Sequence, residues 1–228
     1  MNISSSKGNA LFLILITVAL FAALSYAVTQ SGRGGGDISR EREEIAAAEV
    51  AQYIGQVEQA LQRLRVISGC SDEDISFDQA SWGHNNYTHT PVAAESCEIF
   101  HVNGGGVPYR TINSDLLNTT QSGNTGYGQY AFSGGIWVFQ SGDGGVDLTM
   151  IAGNLTERAC LKIQHSLNQS GSFKSYSLNF LNTLQAENMA FDGDYANQYS
   201  FSSSRQYSCL KLGSSAGRYL FYYVLIDR

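Results

Sequence analysis

Between Asn9 and Gly32 the chain carries no charged side chain, and from Ala10 to Val28 it is almost wholly apolar. A helix over residues 10–28 rises about 28 Å at ~1.5 Å per residue, close to the hydrocarbon thickness of a bilayer. No soluble domain of this size needs its longest apolar run at its start. The rest of the chain is polar, glycine-rich and aromatic. The pattern predicts a segment delivered to a membrane and a domain displayed beyond it.

Composition narrows that domain. The chain has 228 residues, so residues beyond 36 suffice for one sizeable core. The formal charge is −6, which leaves no basic patch for phosphates and excludes nucleic acid as the expected partner. Only 15% of residues are charged, as in exported β-rich chains. The four cysteines, Cys70, Cys97, Cys160 and Cys209, have no zinc-like spacing. An even count beyond a membrane-targeting run predicts two disulfides and an oxidising compartment. Three pairings are open; the sequential one, Cys70–Cys97 with Cys160–Cys209, closes the shortest loops and is favoured.

The residues before the apolar run, 1–8, are polar with one positive charge at Lys7, which favours keeping the N-terminus cytoplasmic. Three fates are open. A secretory signal peptide would be cut after Ser25-Tyr26-Ala27, a small-x-small site. An uncleaved anchor would keep the whole segment. A cut on the cytoplasmic side, between Gly8 and Asn9, would leave the apolar helix on the mature chain.

After the anchor comes the glycine cluster of residues 31–36, expected to melt the helix locally, as linker or hinge. Residues 37–69 predict an amphipathic helix. Asp37 is the expected N-cap, with Glu41, Glu43 and Glu44 in the early turns. Ala47, Val50, Ile54, Val57, Leu61 and Leu64 form an apolar stripe, and Gly69 can end the helix. The stripe is expected to pack on the chain's own sheet.

Residues 70–228 predict a β-rich head. Ser71–Asp74 reads as an acidic turn, and residues 76–96 as a loop with Trp82, Tyr87 and Pro91 as packing points. Three hairpins are expected. Residues 97–102 and 107–112 flank Asn103-Gly-Gly-Gly106. Residues 135–140 and 146–151 flank Ser141-Gly-Asp-Gly-Gly145. Residues 206–212 and 218–226 flank Gly213-Ser-Ser-Ala-Gly217. Residues 113–130 read as a patternless connection. Thr156 can cap a short helix with Leu155, Ala159, Ile163 and Leu167 on one face.

The order of polar leader, Lys7-Gly8, uninterrupted apolar helix, amphipathic helix and disulfide-bonded β-rich head resembles type IV pilins and the related pseudopilins of secretion systems. The resemblance implies a prepilin peptidase cutting between Gly8 and Asn9, and a bacterial inner-membrane subunit with its head outside the cytoplasm. It then implies a periplasmic or cell-surface filament, assembled with other pilin-like subunits through residues 9–30. Phe12, Leu13, Ile16, Leu20 and Phe21 are the expected assembly residues. The family usually has Glu where this chain has Leu13, and a bulky apolar residue where it has Asn9; both departures fit a minor or tip-like subunit. The stretch Ala152–Leu167 looks like a segment of class b pilins, which implies the Cys160–Cys209 pairing. The fold expected is α+β: a long N-terminal helical spine packed on an antiparallel sheet head.

Little in the sequence points to catalysis, and no cofactor or metal is expected. Gly213–Gly217 matches G-x-S-x-G, but no histidine follows it; the last is His165. His84, His89, His101 and His165 lack metal-ligand spacing. Asp192-Gly-Asp194 begins like a calcium loop, yet Ser203 stands where the closing Glu should be. Asp192, Asp194 and Asn197 remain a candidate site of another kind. Asn86, Asn118, Asn154 and Asn168 sit in N-x-Ser/Thr sequons. The aromatic 161–208 loop, with Tyr176, Phe180, Phe191, Tyr195, Tyr199 and Phe201, is the candidate surface-ligand region. The expected function is that of a non-enzymatic pilin-like subunit. The alternatives are a secreted or anchored ligand-binding domain that forms no filament and, third, a secreted hydrolase.

Overall fold

The computed structural model describes residues 7–31, 35–77, 94–124, 126–138, 147–168, 174–176, 199–201, 206–213 and 217–227. The chain forms two compact units, residues 1–42 and 43–228.

The first unit is helical. Helix α1 spans Lys7–Ser31, and α2 spans Gly35–Arg63, entering the second unit at Glu43. Helix is therefore resumed at Gly35, two residues before the expected Asp37 cap, and Gly35 and Gly36 are helical rather than hinge. Glycine lowers helix propensity by only about 1 kcal/mol per residue, which a long helix absorbs. Residues 32–34 lie outside the described residues. Beyond Arg63 a single π-helical turn, Leu64–Ser68, ends at Gly69, whose φ of 68° is open to glycine without steric cost.

The second unit is a mixed helix-and-sheet domain that includes α2 from Glu43 onward. Its strands are β1 (Tyr130–Val138), β2 (Asp147–Leu155), β3 (Lys174–Tyr176), β4 (Tyr199–Phe201), β5 (Tyr207–Leu212) and β6 (Tyr219–Ile226). They form one sheet in the order β3-β5-β6-β2-β1-β4. The four central strands pair antiparallel: β1 with β2, β2 with β6, and β5 with β6. Both short edge strands pair in parallel, β3 with β5 and β4 with β1, so the sheet is not purely antiparallel as expected. Parallel neighbours need long connections rather than tight turns. Both edges come from the one segment enclosed by Cys160 and Cys209.

Two of the three expected hairpins form. The β1–β2 pairing sets Tyr130 opposite Ala152 and Ile136 opposite Asp147, both strands run further at their outer ends than the sequence pattern indicates, and the turn lies outside the described residues. The β5–β6 pairing puts Tyr207 opposite Tyr223 and Cys209 opposite Phe221. The first hairpin does not form: residues 95–97 make a 3-10 turn and no strand flanks Gly104–Gly106. There the chain folds back on itself instead, with the Gly105 amide donating to Glu98 O (2.8 Å) and Val107 to Ile99 O (3.2 Å). A Cβ on Gly104 would lie 2.1 Å from Glu98 O and one on Gly105 2.4 Å from Ile99 O, so these two serve close backbone approach, while Gly106 supplies a positive φ of 66° to a turn that no strands flank.

The main core lies between α2, helix α3 (Glu157–Ser166) and one sheet face. Ala47, Val50, Ile54, Val57, Leu61 and Leu64, the whole expected stripe, are buried there beside Phe132, Met150, Cys209 and Phe221. The other face buries Ala131, Ile136, Ile151, Leu210, Leu220 and Tyr222. A β-bulge between Ser133 and Ile136 shifts the alternation, letting Ala131 and Ile136 share that face. At the far end of β2, Asn154 takes a φ of 56° and its carbonyl accepts the Asn118 amide (2.8 Å). The strand end thus joins residues 113–124, which form two 3-10 turns rather than a patternless connection.

Candidate functional site

Helix α1 has no apolar face because it is apolar all round. Every residue from 11 to 28 is exposed, including Phe12, Leu13, Leu15, Leu20, Phe21 and Leu24. Its polar backbone groups bond within the helix, and the Thr17 hydroxyl donates to Ile14 O (2.8 Å) and Leu13 O (3.1 Å). A helix that is hydrophobic on all sides belongs in an apolar solvent. Residues Leu11–Val28 are long and apolar enough to cross a bilayer, so the segment suits a membrane anchor or a signal sequence. Of the expected assembly residues, Phe12, Ile16 and Leu20 follow i, i+4 spacing with Leu13 beside them, and Phe21 lies about 80° further round from Leu13, at ~100° per residue. Ile16 is the least exposed of the five, at 37%. Gly8 and Asn9 lie in the first turn of α1.

The cysteines pair sequentially. Cys70–Cys97 ties the chain after α2 to the turn at Glu95–Cys97, with Cα atoms 5.9 Å apart. Cys160–Cys209 ties α3 to β5, with Cα atoms 5.8 Å apart. Thr156 caps α3 as expected, its hydroxyl accepting the Ala159 amide (3.1 Å). The two disulfides and the apolar helix together point to a domain outside the cytoplasm.

Of the other candidate residues, Asp192, Asp194 and Asn197 lie outside the described residues, as do Phe180, Phe191, Tyr195, Trp82, Tyr87, Pro91, His84 and His89. The described parts of the 161–208 loop include the end of α3 and strands β3 and β4. His101 and His165 are not brought together: His101 faces Glu95 (3.8 Å), and His165 is exposed in the last turn of α3. Among the described residues no group of three His, Cys, Asp or Glu side chains could hold a metal. The G-x-S-x-G match joins antiparallel β5 and β6, not a strand to a helix, so it lacks the geometry of a nucleophile elbow. The acidic turn is structural: Asp72 pairs with Arg65 (2.6 Å), and the Asp74 carboxylate accepts from Ser71. Asn154 is fully buried, whereas Asn168 is exposed after α3.

Sequence reasoning missed a charged seam between α2 and α3. The Glu43 carboxylate, largely buried, accepts from Arg158 and lies 3.6 Å from the Lys162 ammonium, which also reaches Glu44 (3.2 Å). The bond to Glu43 holds the Arg158 guanidinium above its ordinary value. The signal was present: Glu43 stands seven residues before Val50, in phase with the buried stripe. Also missed were tyrosines seated against α2 and α3. Burial pushes the Tyr53 hydroxyl up to about 12, against the opposing Arg110 backbone bond and charge. Tyr223 is raised by burial and by its hydrogen bond to Glu58 (2.7 Å), and Tyr219 is pushed up to about 12 by donating to Glu157 (2.7 Å). Comparison of the chain with protein-family models, curated proteins and solved structures finds no match.

Proposed function

We propose that the chain is a membrane-anchored, pilin-like structural subunit that assembles into, or caps, a type IV pilus or secretion-pseudopilus filament. The observation that carries this reading is α1: apolar on every side, and followed directly by an amphipathic helix that packs into a disulfide-bonded head. An anchor alone needs only the first of these. An apolar helix followed in sequence by an amphipathic one that packs into the head's own core suits a subunit whose membrane segment later becomes a packed spine. In this reading a prepilin peptidase cuts between Gly8 and Asn9. The inner membrane holds residues 9–30 until assembly, and Phe12, Leu13, Ile16, Leu20 and Phe21 then meet neighbouring subunits. The head stands in the periplasm or at the cell surface, and the 161–208 loop is its candidate contact with a surface ligand. No step of catalysis is assigned.

The test is the mature N-terminus, read by mass spectrometry on protein from the cell envelope. A start at Asn9, with a methylated amine, supports the reading. A start at Val28 overturns it in favour of a secreted ligand-binding domain, and an intact Met1 leaves an anchored domain that forms no filament.

A further inference from the structure

We propose that the Glu43 carboxylate, held by Arg158 and Lys162 of α3, is a releasable latch that fastens residues 43–48 of α2 to the head. The latch lies within the second unit alone and does not depend on filament assembly.

Among the described side chains of α2, burial begins at the latch: residues 38–42 are exposed and Glu43 is the first buried one. Between it and Val50 the only other buried side chains are those of Ala46 and Ala47, which are among the smallest apolar groups. The large anchors come later: Val50, Tyr53, Ile54, Val57, Leu61 and Leu64. Polar fastenings there add to apolar burial, with Asn113 donating to Glu49 (3.1 Å), Tyr223 to Glu58 (2.7 Å) and Arg63 to Gly104 O (2.7 Å). Residues 43–48 therefore owe their attachment chiefly to charge, whereas residues 50–64 owe theirs to apolar burial.

The receiving side is rigid. Arg158 and Lys162 flank Cys160 on α3, and Cys160 is bonded to Cys209 of β5. The cations are thus fixed to the sheet, and the piece free to move is the α2 turn carrying Glu43. Charge-assisted bonds of this kind are directional and can be released without dismantling a core. Release frees six residues of α2 from the rest of the second unit, about 9 Å of helix at ~1.5 Å per residue.

Hydrogen exchange measured by mass spectrometry on the full chain in detergent micelles tests the latch. Glu43→Gln keeps the side-chain shape and removes the charge; Arg158→Gln changes only a half-exposed cation. Both should lower protection of residues 43–48 by about 10- to 100-fold, the worth of a charge-assisted bond, while residues 53–63 keep theirs. Unchanged protection of 43–48 in both variants overturns the proposal. So does an equal loss across 53–63, or failure of Arg158→Gln to fold, because the clamp would then be part of the cooperative core.

Discussion

Gly104→Ala against Gly106→Ala tests whether the glycine run serves as a turn or as a crossing. At Gly104 the new methyl would lie 2.1 Å from Glu98 O and 2.6 Å from Glu95 O, where a carbon needs about 3.3 Å. Neither oxygen can yield alone. Glu95 O accepts the Glu98 amide, Glu98 O accepts the Gly105 amide, and Cys97 between them is tied to Cys70. Two weakened backbone bonds cost about 1 kcal/mol each, and the overpacking itself about 1–3. The sum is roughly 3–5 kcal/mol. Gly106 differs: its φ is 66° and a Cβ there meets open space, so alanine costs only the left-handed penalty of about 1–2 kcal/mol. Urea unfolding of the full chain in micelles, followed by near-ultraviolet circular dichroism without reductant, should give a midpoint lower for Gly104→Ala by about 1 M or more. A hairpin turn would demand the reverse order, since there the positive φ is what glycine alone supplies without strain. Equal midpoints, or a Gly106→Ala variant that is the weaker, would refute the crossing.

Replacing both Cys160 and Cys209 by Ala should cost about 4 kcal/mol, and Cys70 with Cys97 about 3.5, from loop separations of 49 and 27 residues, measured by the same urea titration. Ile54→Ala, at a site 2% exposed, should cost about 2–5 kcal/mol, whereas Ile45→Ala, 63% exposed, should stay within about 0.5; thermal melts separate the two. The head should weaken in alkali. The unfolded Tyr53 hydroxyl releases its proton near pH 10, while the folded one holds it to about 12. The unfolded state thus binds fewer protons, and stability present below pH 10 falls by about 2–3 kcal/mol by pH 12. A Tyr53→Phe variant should flatten that part of the pH–stability curve. Leu20→Lys should raise the cost of membrane insertion by about 3 kcal/mol and move protein into the carbonate-soluble fraction of envelope preparations.

Legibility followed periodicity. The α2 stripe was readable because its six apolar positions recur every three or four residues, and all six are buried. The β5–β6 pairing was readable because two β-rich runs flank a turn of small residues. The sequential disulfides followed from loop length. The failures come from features whose meaning depends on distant chain. Asn103–Gly106 has the composition of a turn, but composition cannot distinguish a glycine needing a positive φ from one lying against another backbone. Glu43 looked like one of several acids favoured near a helix start, because its cationic partners are more than a hundred residues away. The parallel edge strands β3 and β4 are three residues each, too short for any alternation to register.

The two helices solve opposite problems with adjoining sequence. α2 needs water on one side and a core on the other; α1 needs an apolar surround on all sides. Among the described residues every buried one lies at Glu43 or beyond, so the head's core takes nothing from residues 11–28. Folding of the second unit is then indifferent to whether α1 is kept. A cut at Gly8–Asn9 or no cut would keep α1, a cut at Ala27–Val28 would remove it, and the same head would serve each outcome. A retained α1 exposes large side chains such as Phe12, Leu20 and Phe21 over its whole surface. Such a surface has two stable environments, lipid or other apolar helices, and a subunit that leaves the membrane must exchange the first for the second. On the proposed pilin-like reading, assembly would be the condition for extracting α1, and a variant that cannot assemble should remain in the membrane with its head folded.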